Sequence, residues 1–260
     1  MMLNFTDVEL ERYARHILVP NIGAIGQSRC RDASVLIIGL GGLGAPLAQQ
    51  LAASGIGRIG LVDDDHIDLS NLQRQILYDT SSIGSLKTDI AQKKLTALNP
   101  HIRIETHAMR ATTDVLEQLV PSYDLICDGT DNFRTRFAIS DACVRHGKTF
   151  VSGAVQGLSG QVATFRPQYQ GPCYRCLFPD ADENETLNCS RAGVLGPATS
   201  VIGSLMAVET LREIMQLTSN TPAHTVVTSW DALQNRFRRF ELTRSPDCSA
   251  HSENNQAALK

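Results

Sequence analysis

The sequence predicts an α/β fold: a doubly wound, mostly parallel sheet followed by a smaller α+β portion with antiparallel strands. Three observations carry this. Between residues 34 and 153, β-branched and aliphatic runs alternate with helical patterns, as parallel sheets require. A glycine-rich turn at 39–44 lies between the first such run and a helix. After residue 153 the alternation gives way to strand-like segments around a cysteine pair, an acidic loop and one long helix.

Thr6-Asp7-Val8-Glu9 reads as a capping box, and Leu10, Tyr13 and Ile17 make one apolar face of a first helix. A glycine loop (Gly23, Gly26) leads to Ser34–Ile38, a strand buried on both faces. The turn Gly39–Gly44 opens a helix through Ala53, and a second strand ends at Asp63, completing a βαβ unit. Lys87–Leu98 is helical and stops at Asn99-Pro100; strands at Ile102–Thr106 and Tyr123–Cys127 flank a short helix at Asp114–Leu119. A helix over Asn132–His146 ends before Gly147 and precedes a strand at Thr149–Ser152. Gly160–Phe165 and Val226–Phe240 read as antiparallel strands, and Pro197–Gln216 as a helix. The implied organisation is an N-terminal helix and arm (1–33), a nucleotide-binding region (34–153), a second portion (154–251) and a disordered tail (252–260).

Composition narrows the function classes. The 260 residues are 42% hydrophobic and 20% charged, which is globular rather than disordered. A net charge of −3 lacks the basic excess that phosphate backbones demand, so nucleic acid is not an expected partner. The longest apolar stretch, Val35–Ala48, is too short for a membrane span, which needs about 20 residues. The N-terminus lacks a basic n-region and a cleavage site, so a cytoplasmic location is expected. Seven cysteines are an odd number in a chain too long to need disulfides. Cys30, Cys127 and Cys143 sit among apolar neighbours and read as core, whereas Cys173 and Cys176 form a C-x-x-C pair.

Gly39-Leu40-Gly41-Gly42-Leu43-Gly44 holds G-x-G-x-x-G between a strand and a helix, a Rossmann-like context in which backbone amides meet a pyrophosphate. Asp63 closes the next strand, where a carboxylate can bond a ribose hydroxyl. NAD and ATP both satisfy these two features. Arg74 and Lys87 would suit a polyphosphate tail and Asp131 a magnesium ion (Mg2+); singly, each also reads as an ion-pair arginine, a solvated lysine and a helix N-cap. Lys87 heads a helix, where a cation opposes the macrodipole unless an anion compensates.

Together, RYARHIL (12–18), VLIIGLGGLG (35–44), DLSNLQRQIL (68–77), DGTDN (128–132), PCYRC (172–176) and NCSRAGVLGP (188–197) resemble the ThiF/MoeB/HesA family, bacterial relatives of ubiquitin-activating enzymes. The motifs span nearly the whole chain. The resemblance implies an ATP-dependent adenylyltransferase that activates the C-terminal glycine of a ubiquitin-like sulfur carrier ending in Gly-Gly. It implies that Asp63 holds the ribose, that Asn71, Arg74 and Lys87 hold the phosphates and Asp131 the Mg2+, and that Asp65, Ser70, Gln73 and Asn132 belong to the same nucleotide site. Arg15 matches an arginine that reaches a neighbouring subunit's site, which implies a homodimer. A cysteine desulfurase or sulfurtransferase is the implied sulfur source.

The family completes its zinc (Zn2+) site with a second C-x-x-C. This chain offers Cys248-Ser249-Ala250-His251 instead, so the expected structural site is Cys173, Cys176, Cys248 and His251, set against a weak or absent metal. Cys189 matches a loop cysteine able to form a thiol-derived link with the carrier; acidic neighbours raise such a thiol's pKa and Arg191 lowers it, leaving active and inert readings open. The thiamin-pathway carrier is preferred over the molybdopterin one. A nicotinamide oxidoreductase and a catalytically silent tail-binding module are the rival functions.

Overall fold

Eight strands form one continuous sheet in the computed structural model, which describes residues 5–179, 181, 193–217 and 225–251. Strands β1 (Ser34–Ile38), β2 (Arg58–Val62), β3 (Arg103–His107), β4 (Leu125–Asp128) and β5 (Thr149–Gln156) are parallel, in the spatial order β3-β2-β1-β4-β5. Strands β6 (Ser159–Phe165), β7 (Thr225–Asp231) and β8 (Arg236–Leu242) continue the same sheet antiparallel. The tail 252–260 lies outside the described residues.

The apolar run of β1 explains its central place. Val35 and Ile37 enter one core with Leu47 and Leu51 of α3 (Gly44–Ala53), Leu95 of α4 (Lys87–Leu98) and Ile202 and Met206 of a long C-terminal helix (Gly196–Met215). Leu36 and Ile38 enter the opposite core with Leu116 of α5 (Thr113–Leu119) and Phe137 and Ile139 of α6 (Phe133–His146). Helices therefore cover both faces, the arrangement that lets a strand be apolar at every position. Cys30, Cys127 and Cys143 are fully buried in these cores, and burial pushes the Cys30 and Cys127 thiols up to about 12.

Helix α1 (Asp7–Ile17) begins as expected, with Thr6 and Glu9 forming the reciprocal capping box. Two expectations need correction. The glycine loop at 23–26 is instead the start of α2 (Gly23–Asp32). Tertiary packing overrides the low helix propensity of its glycines. Gly26 passes close to Met215, Arg29 donates to the Met215 carbonyl at 2.6 Å, and buried Gln27 bonds both His16 and the Ser54 carbonyl. Strand β5 also runs four residues beyond Ser152, because Gly153 lets Met206 and Ile202 of the C-terminal helix lie flat against it. That extension is what pairs β5 with β6 and joins the antiparallel part to the parallel one.

Candidate active site

Strand β1 sends the chain into α3 on one face of the sheet, while its neighbour β4 sends it into α6 on the other. The loops diverge and leave a crevice at the carboxyl ends of the strands, where open α/β sheets bind ligands. The glycine turn lies on one side. Gly39 has φ +86°, and a Cβ on Gly44 would stand 1.8 Å from the Gly39 carbonyl oxygen, so neither position tolerates a side chain. Helix α3 then starts without a side-chain cap; the Ala45 amide is taken by the Gly41 carbonyl at 3.0 Å and Pro46 has no N–H, so the amides that can meet an anion are those of the turn, up to Gly44.

A cavity of about 670 Å³ fills this crevice, within the range of small-molecule sites. Gly39, Gly41, Gly42, Asp63 and Asp65 line one side of it. Asn71, Gln73, Arg74, Lys87, Asp131 and Asn132 line the rest. Gly44 supports the turn from behind. Ser70 lies outside the lining and holds Arg74 through its carbonyl at 3.0 Å. Arg15 is exposed on α1 and does not line the cavity of its own chain. Cys189 lies outside the described residues.

The charges are already arranged around this cavity. Lys87 is 4% exposed, and its Nζ lies 2.7 Å from Asp65 and 4.0 Å from Asp63. The helix-start lysine thus finds its compensating anions within the chain, and it is not a solvated cation. Asp63 accepts from the Leu40 amide at 2.6 Å and the Asp65 amide at 2.9 Å, which pins the glycine turn to the end of β2. Its second lone pairs stay available to a hydroxyl donor. Asp131 is exposed to the cavity and, among the described residues, has no hydrogen bond or ion pair. Helix α6 is capped by Asn132, which accepts from the Thr135 amide, so Asp131 is not spent as a cap.

Burial raises the Asp63 pKa, opposed chiefly by Lys87 and then by the two amides. A carboxyl whose folded pKa exceeds its unfolded value costs stability above the folded pKa, and the cost vanishes below the unfolded one. Asp63→Asn lifts that cost but turns an amide nitrogen toward one of the two backbone donors and takes a counter-charge from Lys87, so the variant should melt about 2–6 °C below wild type at pH 7. Scanning calorimetry checks this; a melting temperature at or above wild type would contradict it.

Two cavity residues escape a reading of motifs. Gln75 is 3% exposed and its Oε1 is buried without a partner beside the glycine turn. Its signal is its place inside the 68–77 segment, beside Arg74, where nothing local marks it out from its neighbours. Arg136 is 2% exposed and donates to the carbonyls of Thr130 and Gly153. An arginine between Phe133 and Phe137 on an otherwise apolar helix face is the signal that could have found it.

Away from the crevice, one ligand atom each from Cys173, Cys176, Cys248 and His251 falls within 4.8 Å of the others. A zinc tetrahedron with bonds of about 2.3 Å separates its sulfurs by about 3.8 Å. The sulfurs of Cys173 and Cys176 are 3.9 Å apart and those of Cys173 and Cys248 are 3.6 Å apart. His251 Nε2 is buried without a partner, as a ligand nitrogen facing a metal position would be. The Cys176 thiol is pulled well down by a hydrogen bond from Cys173, whose own pKa rises. This donor set fits zinc and has no open position for substrate.

No helix among the described residues is long and apolar enough to cross a membrane. Residues 13–250 match the model of the ThiF family. The chain is 41% identical over 251 residues to the sulfur carrier protein adenylyltransferase of Thermus thermophilus, covering 95% of this chain and 92% of that protein. It is 42% identical over 248 residues to the adenylyltransferase and sulfurtransferase MOCS3 of Aedes aegypti, covering 95% of this chain but 56% of the relative. Among solved structures, E. coli MccB crystallised with ATP superposes with a TM-score of 0.81 at 24% identity, covering 94% of this chain and 75% of that one. That likeness speaks for the fold. The family match and the Thermus relative, extending over nearly the full chain, agree with the nucleotide crevice: this chain belongs to the ThiF family and is an adenylyltransferase.

Proposed function

We propose that the protein uses ATP to adenylate the C-terminal carboxylate of a ubiquitin-like sulfur carrier. The observation that carries this reading is the convergence on one glycine cradle of Arg74, Lys87 and Asp131, the last unpaired among the described residues. An α-carboxylate, with a pKa of roughly 3.5, is already a nucleophile at pH 7 and needs no protein base. One of its oxygens bonds to the α-phosphorus as the bond from that phosphorus to the bridging oxygen breaks, and pyrophosphate leaves with the electron pair. The protein must align the reactants and neutralise the departing charge.

In this reading the amides of the glycine turn, up to Gly44, receive phosphate, Asp63 and Asp65 the ribose side, and Asn71, Gln73, Arg74 and Lys87 the β- and γ-phosphates. Lys87 exchanges Asp65 for phosphate as the nucleotide enters. Asp131 and Asn132 would hold Mg2+, which supplies charge neutralisation on the polyphosphate. Cys173, Cys176, Cys248 and His251 would hold Zn2+ as a structural ion. Arg15, which does not line its own cavity, serves the cavity of a second copy in a homodimer. The thiamin-type carrier is our first candidate and the molybdopterin-type carrier our second, with the sulfur delivered by a desulfurase or sulfurtransferase.

Carrier-dependent exchange of labelled pyrophosphate into ATP, run with each carrier, tests this. Arg74→Ala should lower exchange about 100-fold, whereas Cys189→Ala should leave it intact, since adenylation needs no thiol. Tight NADH binding without ATP affinity would replace this reading with the oxidoreductase one.

A further inference from the structure

We propose that Arg136 and Tyr174 are positioning residues that fix Asp131 for the adenylation step and tether it to the turn carrying Cys173. The inference rests on the reading above and adds to it a mechanical link between the two clusters. Peptide 130, just before Asp131, is clamped from two sides. Asp128, fully buried, accepts from the Thr130 amide at 3.0 Å and the Thr130 hydroxyl at 2.7 Å, while Ser152 donates to its other oxygen at 2.7 Å. Arg136 donates to the Thr130 carbonyl, and its Nε lies 3.8 Å from the same Asp128 carboxylate. Every polar group of Thr130 is thus tied to a buried ion pair, and Asp131 follows it directly.

The guanidinium has a second task. Its Nη2 also donates to the Gly153 carbonyl at 3.1 Å, and its Nη1 donates to the Tyr174 hydroxyl at 3.2 Å. Tyr174 is the residue after Cys173, and its ring is held by Phe137, Phe165 and Phe178 at centroid distances of 5.5, 6.0 and 4.9 Å. Its backbone amide donates to Ser140 at 3.1 Å. Three groups in different directions are met by one planar fork, which a lysine cannot reproduce. A shift of the cysteine turn would therefore move Tyr174, then Arg136, then the peptide that aims Asp131.

Tyr174→Phe is the discriminating variant, because it keeps the ring packing and deletes the hydroxyl. We expect kcat for pyrophosphate exchange to fall about tenfold with the ATP KM changed less than about twofold, the pattern of misplacement in the transition state. The Mg2+ concentration for half-maximal ATP binding, read by titration calorimetry, should rise about threefold, while metal content stays at the wild-type value and the melting temperature falls by a few degrees, about 2–6 °C, for the lost partner of the buried guanidinium. Arg136→Lys, which keeps the charge opposite Asp128, should fold and show a larger kcat loss than Tyr174→Phe, and Arg136→Gln a larger one still. Wild-type kcat and Mg2+ dependence in Tyr174→Phe would overturn the proposal. Wild-type protein that binds ATP but exchanges with no carrier would end the adenylation reading instead, and the calorimetric comparison would still judge the positioning claim.

Discussion

Asp131→Ala is expected to abolish carrier-dependent pyrophosphate exchange, by about 1000-fold or more, with the melting temperature held within about 2 °C of wild type. The two halves of this expectation have separate grounds. Stability should hold because the side chain is exposed and bonded to nothing among the described residues, so its removal strands no buried partner. Helix α6 keeps its cap, since Asn132 supplies it. Activity should fall because, in the proposed mechanism, this carboxylate is the negative group that brings a divalent cation to a polyphosphate otherwise met by Asn71, Gln73, Arg74, Lys87 and backbone amides. Asp131→Asn should be nearly as damaging, as it keeps the size and loses the charge. ATP binding measured without Mg2+ should be unaffected in both variants. Full exchange in Asp131→Ala would remove the metal assignment.

What could be read in the chain before its structure divides along a physical line. Features set by neighbours in sequence were legible: the capping box at Thr6, the apolar run of β1, the glycine turn, and the spacing of Cys173 and Cys176. Features set by distant packing were not. Helix α2 carries weak local signals and owes its form to contacts with Met215 and Ser54. The length of β5 depends on how closely the C-terminal helix approaches Gly153. Within the site, the cradle glycines were visible because turn chemistry is local. The partners of Lys87 are 22 and 24 residues upstream in the β2 exit, and Arg136 reaches 38 residues forward to Tyr174. No periodicity encodes such pairings. An isolated arginine on an apolar helix face is the nearest a sequence comes to announcing one.

Removing metal from the cysteine cluster should lower the melting temperature by about 10 °C or more, for reasons of closure rather than of chemistry. Cys173 and Cys176 lie between β6 and the long C-terminal helix, whereas Cys248 and His251 come after β8, so one ion would fasten the last described residues to the body of the fold. The cluster is small: Cys173, Cys248 and Ala250 are its buried members, with Val144 and Cys176 packed against them, too little apolar surface to hold a chain end alone. In zinc-finger peptides the ion supplies nearly all of the folding energy. Here aromatic packing around Tyr174 already shapes one half of the site, so several kcal/mol, about 3–5, is the reasonable share. For a chain of this size that corresponds to about 10 °C. Zinc content should be one ion per chain. His251→Ala should weaken retention by about 100-fold against a competing chelator, while His251→Cys should restore it, because thiolate and imidazole both complete a tetrahedron. If the metal-free protein melts at the same temperature as the metal-loaded one, the three thiols and the imidazole are only a packed cluster, and the C-terminal segment, closed on itself by the Arg244 bond to the His251 carbonyl, is held by the Ser245 bond to Cys176 instead.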